Sequence, residues 1–274
     1  MLEPQLSGHF IAYERLLQKD PARLLQFLAD QHYLSFDKYD YTDHIGAPKW
    51  KEVSWRQAER DILCGKLRKN PGKALMFAHR DASKLTMTIT ELLDGPRFWP
   101  RGSAADNRSY SKSSISVRSG GTTSLEETAT FVEFLTAVFE SADADHGYAH
   151  DTTDAIALDA SADSLSFLPG MLASTPRVRP GEEVLWPLQS VYWANFFSGR
   201  WRRTIEEVAD RVSADGPEIR NLSSGGLLVF TAPSPLDPTN KSSRVVLWKV
   251  WEAAELGPIP NRFLVWKLRR QYRK

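Results

Sequence analysis

The chain has 274 residues, of which 42% are hydrophobic and 25% are charged, and its formal net charge is +1. These proportions are typical of a globular protein with a substantial core, and they exclude wholesale disorder and a membrane protein. The nearly neutral charge gives no global attraction to nucleic acid or to anionic lipid.

The single cysteine, Cys64, excludes an internal disulfide and a zinc cluster built from thiolates. We interpret it as a small buried residue in a helix rather than a catalytic thiolate. The N-terminus lacks the basic start and apolar run of a signal peptide, and no apolar stretch reaches the roughly 20 residues that span a bilayer. We therefore expect a cytoplasmic protein without membrane contact.

Two helices are predicted in the N-terminal third. Asp20 is the predicted N-cap of the first helix, because Pro21 follows it at the first helical position and an apolar stripe comes next. The second helix is predicted over residues 55–67, with Ala58, Ile62 and Leu63 on its apolar side. Gly46 and Pro48 indicate that residues 33–50 form an irregular connection.

The next segments predict strands. Residues 74–78 are apolar, and residues 85–90 alternate strictly, so that Leu85, Met87 and Ile89 face a core as the second arm of a hairpin. Residues 104–119 are rich in serine and basic residues and predict an edge strand.

The loop over residues 95–102 combines two prolines and two glycines with aromatic side chains. Phe98 and Trp99 are flanked by Arg97 and Arg101, and these residue types are enriched at interface hot spots. We predict that these four residues bind a partner. Inward packing of the two rings onto the core is the alternative.

Ser124 and Glu127 form a capping box that predicts the start of a core helix. Its apolar face contains Phe131, Phe134, Leu135, Val138 and Phe139.

Residues 141–163 are acidic and are predicted to form a loop. His146 and His150 have the spacing of a two-histidine metal site, but that spacing brings the imidazoles together only on a helix. Gly147 argues against a helix, and no Glu follows His146 as in a metalloprotease motif. A metal-dependent hydrolase using this stretch is therefore the alternative function, and we expect no metal.

The C-terminal third predicts a strand, a helix and a strand. Residues 191–197 carry four large aromatic side chains, which indicate a core strand rather than the lining of a pocket. A helix is predicted over residues 200–212, and Gly225 and Gly226 precede an apolar strand over residues 227–230. Another helix is predicted over residues 244–256. The basic residues of the tail, 262–274, alternate with apolar ones, so we do not expect nucleic-acid binding.

Several short aromatic motifs resemble the immunity protein 52 family and related type VI immunity proteins of bacterial polymorphic-toxin systems, over about residues 60 to 250. They are Gly95-Pro96-Arg97-Phe98-Trp99-Pro100, His146-Gly147-Tyr148-Ala149, Val191-Tyr192-Trp193-Ala194-Asn195-Phe196-Phe197, Gly225-Gly226-Leu227-Leu228-Val229 and Pro235-Leu236-Asp237. The resemblance implies a cytoplasmic α+β protein that binds and neutralises a cognate toxin. It implies no catalytic residue.

We therefore expect an α+β fold in a single large domain over residues 1–274, with a sub-division near residues 165–185 as the alternative. A mixed or antiparallel sheet should contain residues 85–90, 191–197 and 227–230, covered by the helices that begin near Asp20, Ser124 and Arg200. We expect stoichiometric binding of a toxin protein, no enzymatic activity and no cofactor. A structural adaptor without a toxin partner is a further alternative.

Overall fold

The computed structural model describes residues 6–12, 16–30, 36–42, 49–69, 74–79, 85–92, 112–120, 125–151, 193–209, 218–230 and 235. The chain divides into two units, Met1–Gly95 with Ser109–Thr153 and Pro96–Arg108 with Asp154–Lys274. The single-domain expectation stays a prediction.

The first unit combines an antiparallel sheet with helices. Its strands are β1 (Leu6–Ala12), β2 (Lys38–Thr42), β3 (Lys51–Glu52), β4 (Ala74–Ala78), β5 (Leu85–Leu92), β6 (Lys112–Ser119) and β7 (His146–Asp151). Its helices are α1 (Leu16–Lys19), α2 (Pro21–Asp30), α3 (Gln57–Lys69) and α4 (Leu125–Ser141). The strands lie in the order β3-β2-β4-β5-β6-β1-β7, and every neighbouring pair is antiparallel.

One face of this sheet forms the core with the helices. Side chains in register across the strands are fully buried there: Phe10, Leu75, Phe77, Met87, Ile89, Ile115 and Val117. Helix α4 packs against this face, because a Cβ added at Gly8 of β1 would lie 2.6 Å from the Leu135 side chain. Phe134, Leu135 and Val138 of α4 are also fully buried, as the apolar face of this helix predicted.

The N-terminal helices begin as the sequence predicted. The Arg23 backbone N–H donates to Asp20 Oδ1 at 3.2 Å, which confirms Asp20 as the N-cap of α2. Helix α3 is also confirmed, and its predicted apolar side is confirmed only at Leu63, which is buried. Ala58 and Ile62 are exposed, and Cys64 and Leu67 are buried beside Leu63.

Three segments differ from the sequence prediction. Residues 33–50 contain strand β2, and residues 141–163 contain strand β7. Strand β6 is not an edge strand, because it pairs with β5 on one side and β1 on the other. Tertiary pairing supplies the hydrogen bonds that these short polar segments cannot satisfy alone, so it overrides their turn-like composition.

The second unit contains an antiparallel sheet of β8 (Ala194–Phe197), β9 (Glu218–Asn221) and β10 (Leu227–Phe230), in the order β8-β10-β9. A 3₁₀ turn (Gly199–Trp201) and helix α5 (Arg202–Ala209) follow β8. Every residue of β8 and β10 is buried, which confirms these two segments as core strands. Strand β9 was not predicted.

A tight hairpin joins β9 to β10. The Gly225 N–H donates to the Leu222 carbonyl at 3.1 Å, and Gly225 has a φ of 83°, a conformation that favours glycine. The Arg202 guanidinium of α5 holds this turn, since it donates to the Gly225 carbonyl at 2.8 and 3.0 Å and to Asn221 Oδ1 at 2.9 Å.

The α+β fold class and the antiparallel sheet are confirmed. The predicted residues 191 and 192, the helix over residues 244–256 and the basic tail over residues 262–274 lie outside the described residues.

Candidate functional site

The four predicted partner-binding residues, Arg97, Phe98, Trp99 and Arg101, lie outside the described residues. Their role stays a prediction.

The histidine-rich stretch forms strand β7 rather than a loop. A strand rises about 3.3 Å per residue, so the Cα atoms of His146 and His150 lie roughly 13 Å apart along it. This separation removes the helical ligand pair on which the metal-site hypothesis depended. Among the described residues, no group of three or more His, Cys, Asp or Glu side chains could hold a metal ion.

A buried histidine and aspartate lie in contact at the start of this strand. His146 Nδ1 lies 2.9 Å from Asp145 Oδ2, and the two side chains are 6% and 1% exposed. Helix α4 ends just before them, where the Ala144 N–H donates to the Phe139 carbonyl and the Asp143 N–H to the Glu140 carbonyl. Asp143 has a φ of 47°, so these bonds form a Schellman motif. The pair thus lies where the chain turns from α4 into β7.

The second face of the sheet in the first unit carries polar side chains in register. Thr88, Ser116, His9 and Tyr148 lie directly opposite one another on β5, β6, β1 and β7, and Thr86 lies opposite Arg118. We name these six residues the polar face. Their neighbours along each strand are buried in the core, so the strand period of two directs the polar face away from it.

The polar face is partly accessible, because Ser7, opposite Arg118 on the same face, is buried. Arg118 is exposed, the other five side chains are half-buried, and the rings of His9 and Tyr148 are 5.3 Å apart. Its side chains offer hydroxyl, imidazole, phenol and guanidinium groups, which donate or accept hydrogen bonds. Because the backbone ladder fixes each strand, these groups are preorganised for binding.

Among the described residues, this face of the sheet carries charges of both signs. Lys38 of β2 lies in the same cross-strand row as Thr86 and Arg118. Asp40 is on the same face but is 5% exposed, and its Oδ2 accepts a hydrogen bond from the Lys49 backbone N–H at 3.1 Å. Glu52 of β3 lies directly opposite Lys38 and is exposed, so the accessible charges on this face are those of Arg118, Lys38 and Glu52.

Sequence reasoning found only part of the polar face. The alternation of residues 85–90 predicted that its threonines lie opposite the core, whereas His9 and Tyr148 were missed because β1 and β7 were not predicted. Cys64 is buried as predicted, and burial raises the pKa of its thiol.

No family model matches the chain, and no curated protein matches it. Among solved structures, the chain is similar to the Pseudomonas aeruginosa T6SS protein PA0821, with a TM-score of 0.49 and 11% sequence identity over 97% of this chain and 87% of that chain. A likeness of this size supports no inference about function. The resemblance to the immunity protein 52 family stays a prediction.

In the part of the chain that the structure describes, no helix combines the length and the apolar character that crossing a membrane requires. The cytoplasmic location stays a prediction.

Proposed function

We propose that the protein binds a cognate bacterial toxin and neutralises it by stoichiometric complex formation, with the polar face as part of the binding surface. This is the activity that the family resemblance implies, including a role beside type VI secretion. The observation that carries the proposal is the row of half-exposed polar side chains held in register across β5, β6, β1 and β7.

Arg118 and Tyr148 are the strongest candidates for hot spots on this face. Arginine and tyrosine are enriched at the centres of interfaces because each combines a large contact area with directional hydrogen bonds. The main chain of both residues is fixed by central or flanking strands of the sheet, so binding costs little backbone entropy.

The proposal is tested by co-expressing the full chain with the toxin encoded by the neighbouring gene. The wild-type protein should rescue growth and co-purify with the toxin at a fixed ratio. Arg118→Ala should weaken the complex by about tenfold or more, as loss of a hot-spot side chain does. Titration calorimetry of the purified pair measures this loss.

Arg68→Ala is the matched control, because Arg68 is also exposed but lies on helix α3. It should leave the affinity unchanged. If wild-type protein neither rescues growth nor binds the toxin, the immunity function is wrong. If it binds and Arg118→Ala and Tyr148→Ala both bind equally well, the interface is elsewhere, and Trp99→Ala then tests the loop over residues 95–102.

A further inference from the structure

Strand β9 is the outer strand of the sheet in the second unit. In the described part of the chain it pairs with β10 alone, and Glu218, Arg220 and Asn221 are exposed. An outer strand of this kind presents backbone groups to which another strand can add.

The hairpin fixes which backbone groups face outward. The Leu222 N–H donates to the Gly226 carbonyl at 3.0 Å, which closes the ladder at the turn. Antiparallel pairs alternate between hydrogen-bonded and non-hydrogen-bonded positions, so Arg220 and Glu218 bond to β10. The N–H and C=O of Ile219 and Asn221 therefore point away from β10.

The side chains of β9 are complementary to a second copy of the same strand. If two copies run antiparallel with Ile219 opposite Ile219, the outward N–H and C=O of each Ile219 bond to the other copy. In this register Glu218 of one chain lies directly opposite Arg220 of the other, twice over. Opposite charges at such positions stabilise strand pairing, and like charges oppose it.

We propose that two copies of the chain associate through β9, in antiparallel pairing centred on Ile219, with reciprocal Glu218–Arg220 ion pairs between the copies. The same symmetric patch serves both subunits, as in a twofold dimer. This self-association is independent of toxin binding.

The charges that would form these ion pairs are available. Within one chain, Arg220 Nε lies 2.7 Å from Glu218 Oε1, but the two side chains are 58% and 59% exposed. An ion pair so exposed contributes little, so exchanging it for a pair between chains costs little. Arg220 also lies over the Phe230 ring of β10, 4.6 Å from its centroid.

The dimer should be weak and its register well defined. Pro217 precedes the strand and has no N–H to donate, so the ladder between copies is limited to the residues around Ile219. An interface built on a strand of four residues falls in the class of small, transient contacts.

Sedimentation velocity of the full chain over a series of concentrations tests the proposal. Glu218→Arg and Arg220→Glu each place like charges opposite one another in both pairs, and each should weaken self-association by about tenfold. An equimolar mixture of the two variants should restore it, because the all-basic strand of one then pairs with the all-acidic strand of the other. No effect on folding of either variant can produce this rescue.

Ile219→Pro gives a second test. It removes an N–H that β10 does not use, so the hairpin should persist while self-association is lost. The proposal is overturned if the wild-type chain is monomeric throughout the series, if both charge variants self-associate as the wild type does, or if their mixture fails to restore association.

Discussion

Burial decides the chemistry of single residues, as Cys64 shows. Its thiol is 6% exposed and lies on α3 beside Leu63 and Leu67. Burial raises its pKa above the ordinary value of 9.0, and the nearby Arg68 guanidinium acts in the opposite direction. The thiol therefore keeps its proton at neutral pH, which makes it a poor nucleophile in the folded protein.

We predict that Cys64 makes stability fall at alkaline pH. The pKa of the thiol is higher in the folded than in the unfolded state, so the native protein keeps this proton to a higher pH. The thiol's contribution to the free energy of unfolding is therefore fully present below the unfolded pKa. That contribution is lost as pH rises through the unfolded value of 9.0 towards the higher folded value.

Urea unfolding from about pH 8 to about pH 10 measures this loss. Cys64→Ala removes the titrating group, so the variant should lose stability less steeply than the wild type over the same range. Equal slopes for the two proteins would contradict the prediction.

The prediction of individual residues from sequence succeeded where the cause is local. Asp20 caps α2 through a bond to a residue three positions away, and sequence contains that information. The buried side of α3 was predicted correctly only at Leu63, because packing against α1 and α2 sets the rotation of that helix about its axis. Ile62, at 59% exposed, lies on the side that this packing leaves outward.

Glycine has opposite effects on stability in strand β1 and in helix α3. Gly8 in β1 allows Leu135 of α4 to approach the sheet, whereas a Cβ at Gly65 in α3 would have no heavy atom within 4 Å. Glycine in an unobstructed helix costs stability because its unfolded backbone has excess freedom.

We predict that Gly8→Ala destabilises the protein and Gly65→Ala stabilises it. The first should lower the free energy of unfolding by about 1–3 kcal/mol through overpacking. The second should raise it by about 0.4–1 kcal/mol. Thermal and urea unfolding of both variants give the signs, and the same sign for the two would contradict this account of the β1–α4 contact.

The same close packing explains which strands could be predicted. Residues 85–90 and 227–230 carry apolar side chains in strand patterns, so they are identified without knowledge of their neighbours. Strands β1 and β7 were not predicted from the sequence, and both contain glycine. In the structure, Gly147 lies opposite Phe10 and Gly8 lies opposite Ala149. These glycines make room for bulky side chains, although in sequence they indicate turns.

The serine residues of β6 led to the wrong prediction of an edge strand. The segment before Gly120 is polar enough to suggest an edge strand, yet Ser113 is fully buried and its Oγ accepts a hydrogen bond from the Leu16 N–H at 2.9 Å. A buried hydroxyl that has a hydrogen-bond partner is compatible with a central strand. Sequence does not reveal that partner, because it is 97 residues away.

At the scale of the whole molecule, the fold class could be predicted from the sequence, but the order of the strands in the sheet could not. Short apolar segments mixed with amphipathic helices predicted α+β, and that class is confirmed. The strand order places the N-terminal β1 between β6 and β7, and these contacts between distant segments leave no local trace in sequence. The polar face depends on this order, since it brings His9 beside Ser116 and Tyr148.

The charge distribution leads to a last prediction, which rests on the proposed toxin binding. With a net charge of +1, the chain as a whole attracts a charged partner only weakly. The accessible charge of the polar face is that of Arg118, because Lys38 in the same row lies opposite the exposed Glu52, and Asp40 is buried and bonded to the Lys49 N–H. We therefore expect an acidic surface on the toxin, and association that slows as salt is raised, with dissociation changed less.

Stopped-flow association rates from about 0.05 to about 0.5 M salt measure the slope of the association rate against salt concentration. Arg118→Ala should flatten it and Arg68→Ala should not, whereas a wild-type rate that is constant or rises with salt would show that the charge of Arg118 does not guide the encounter.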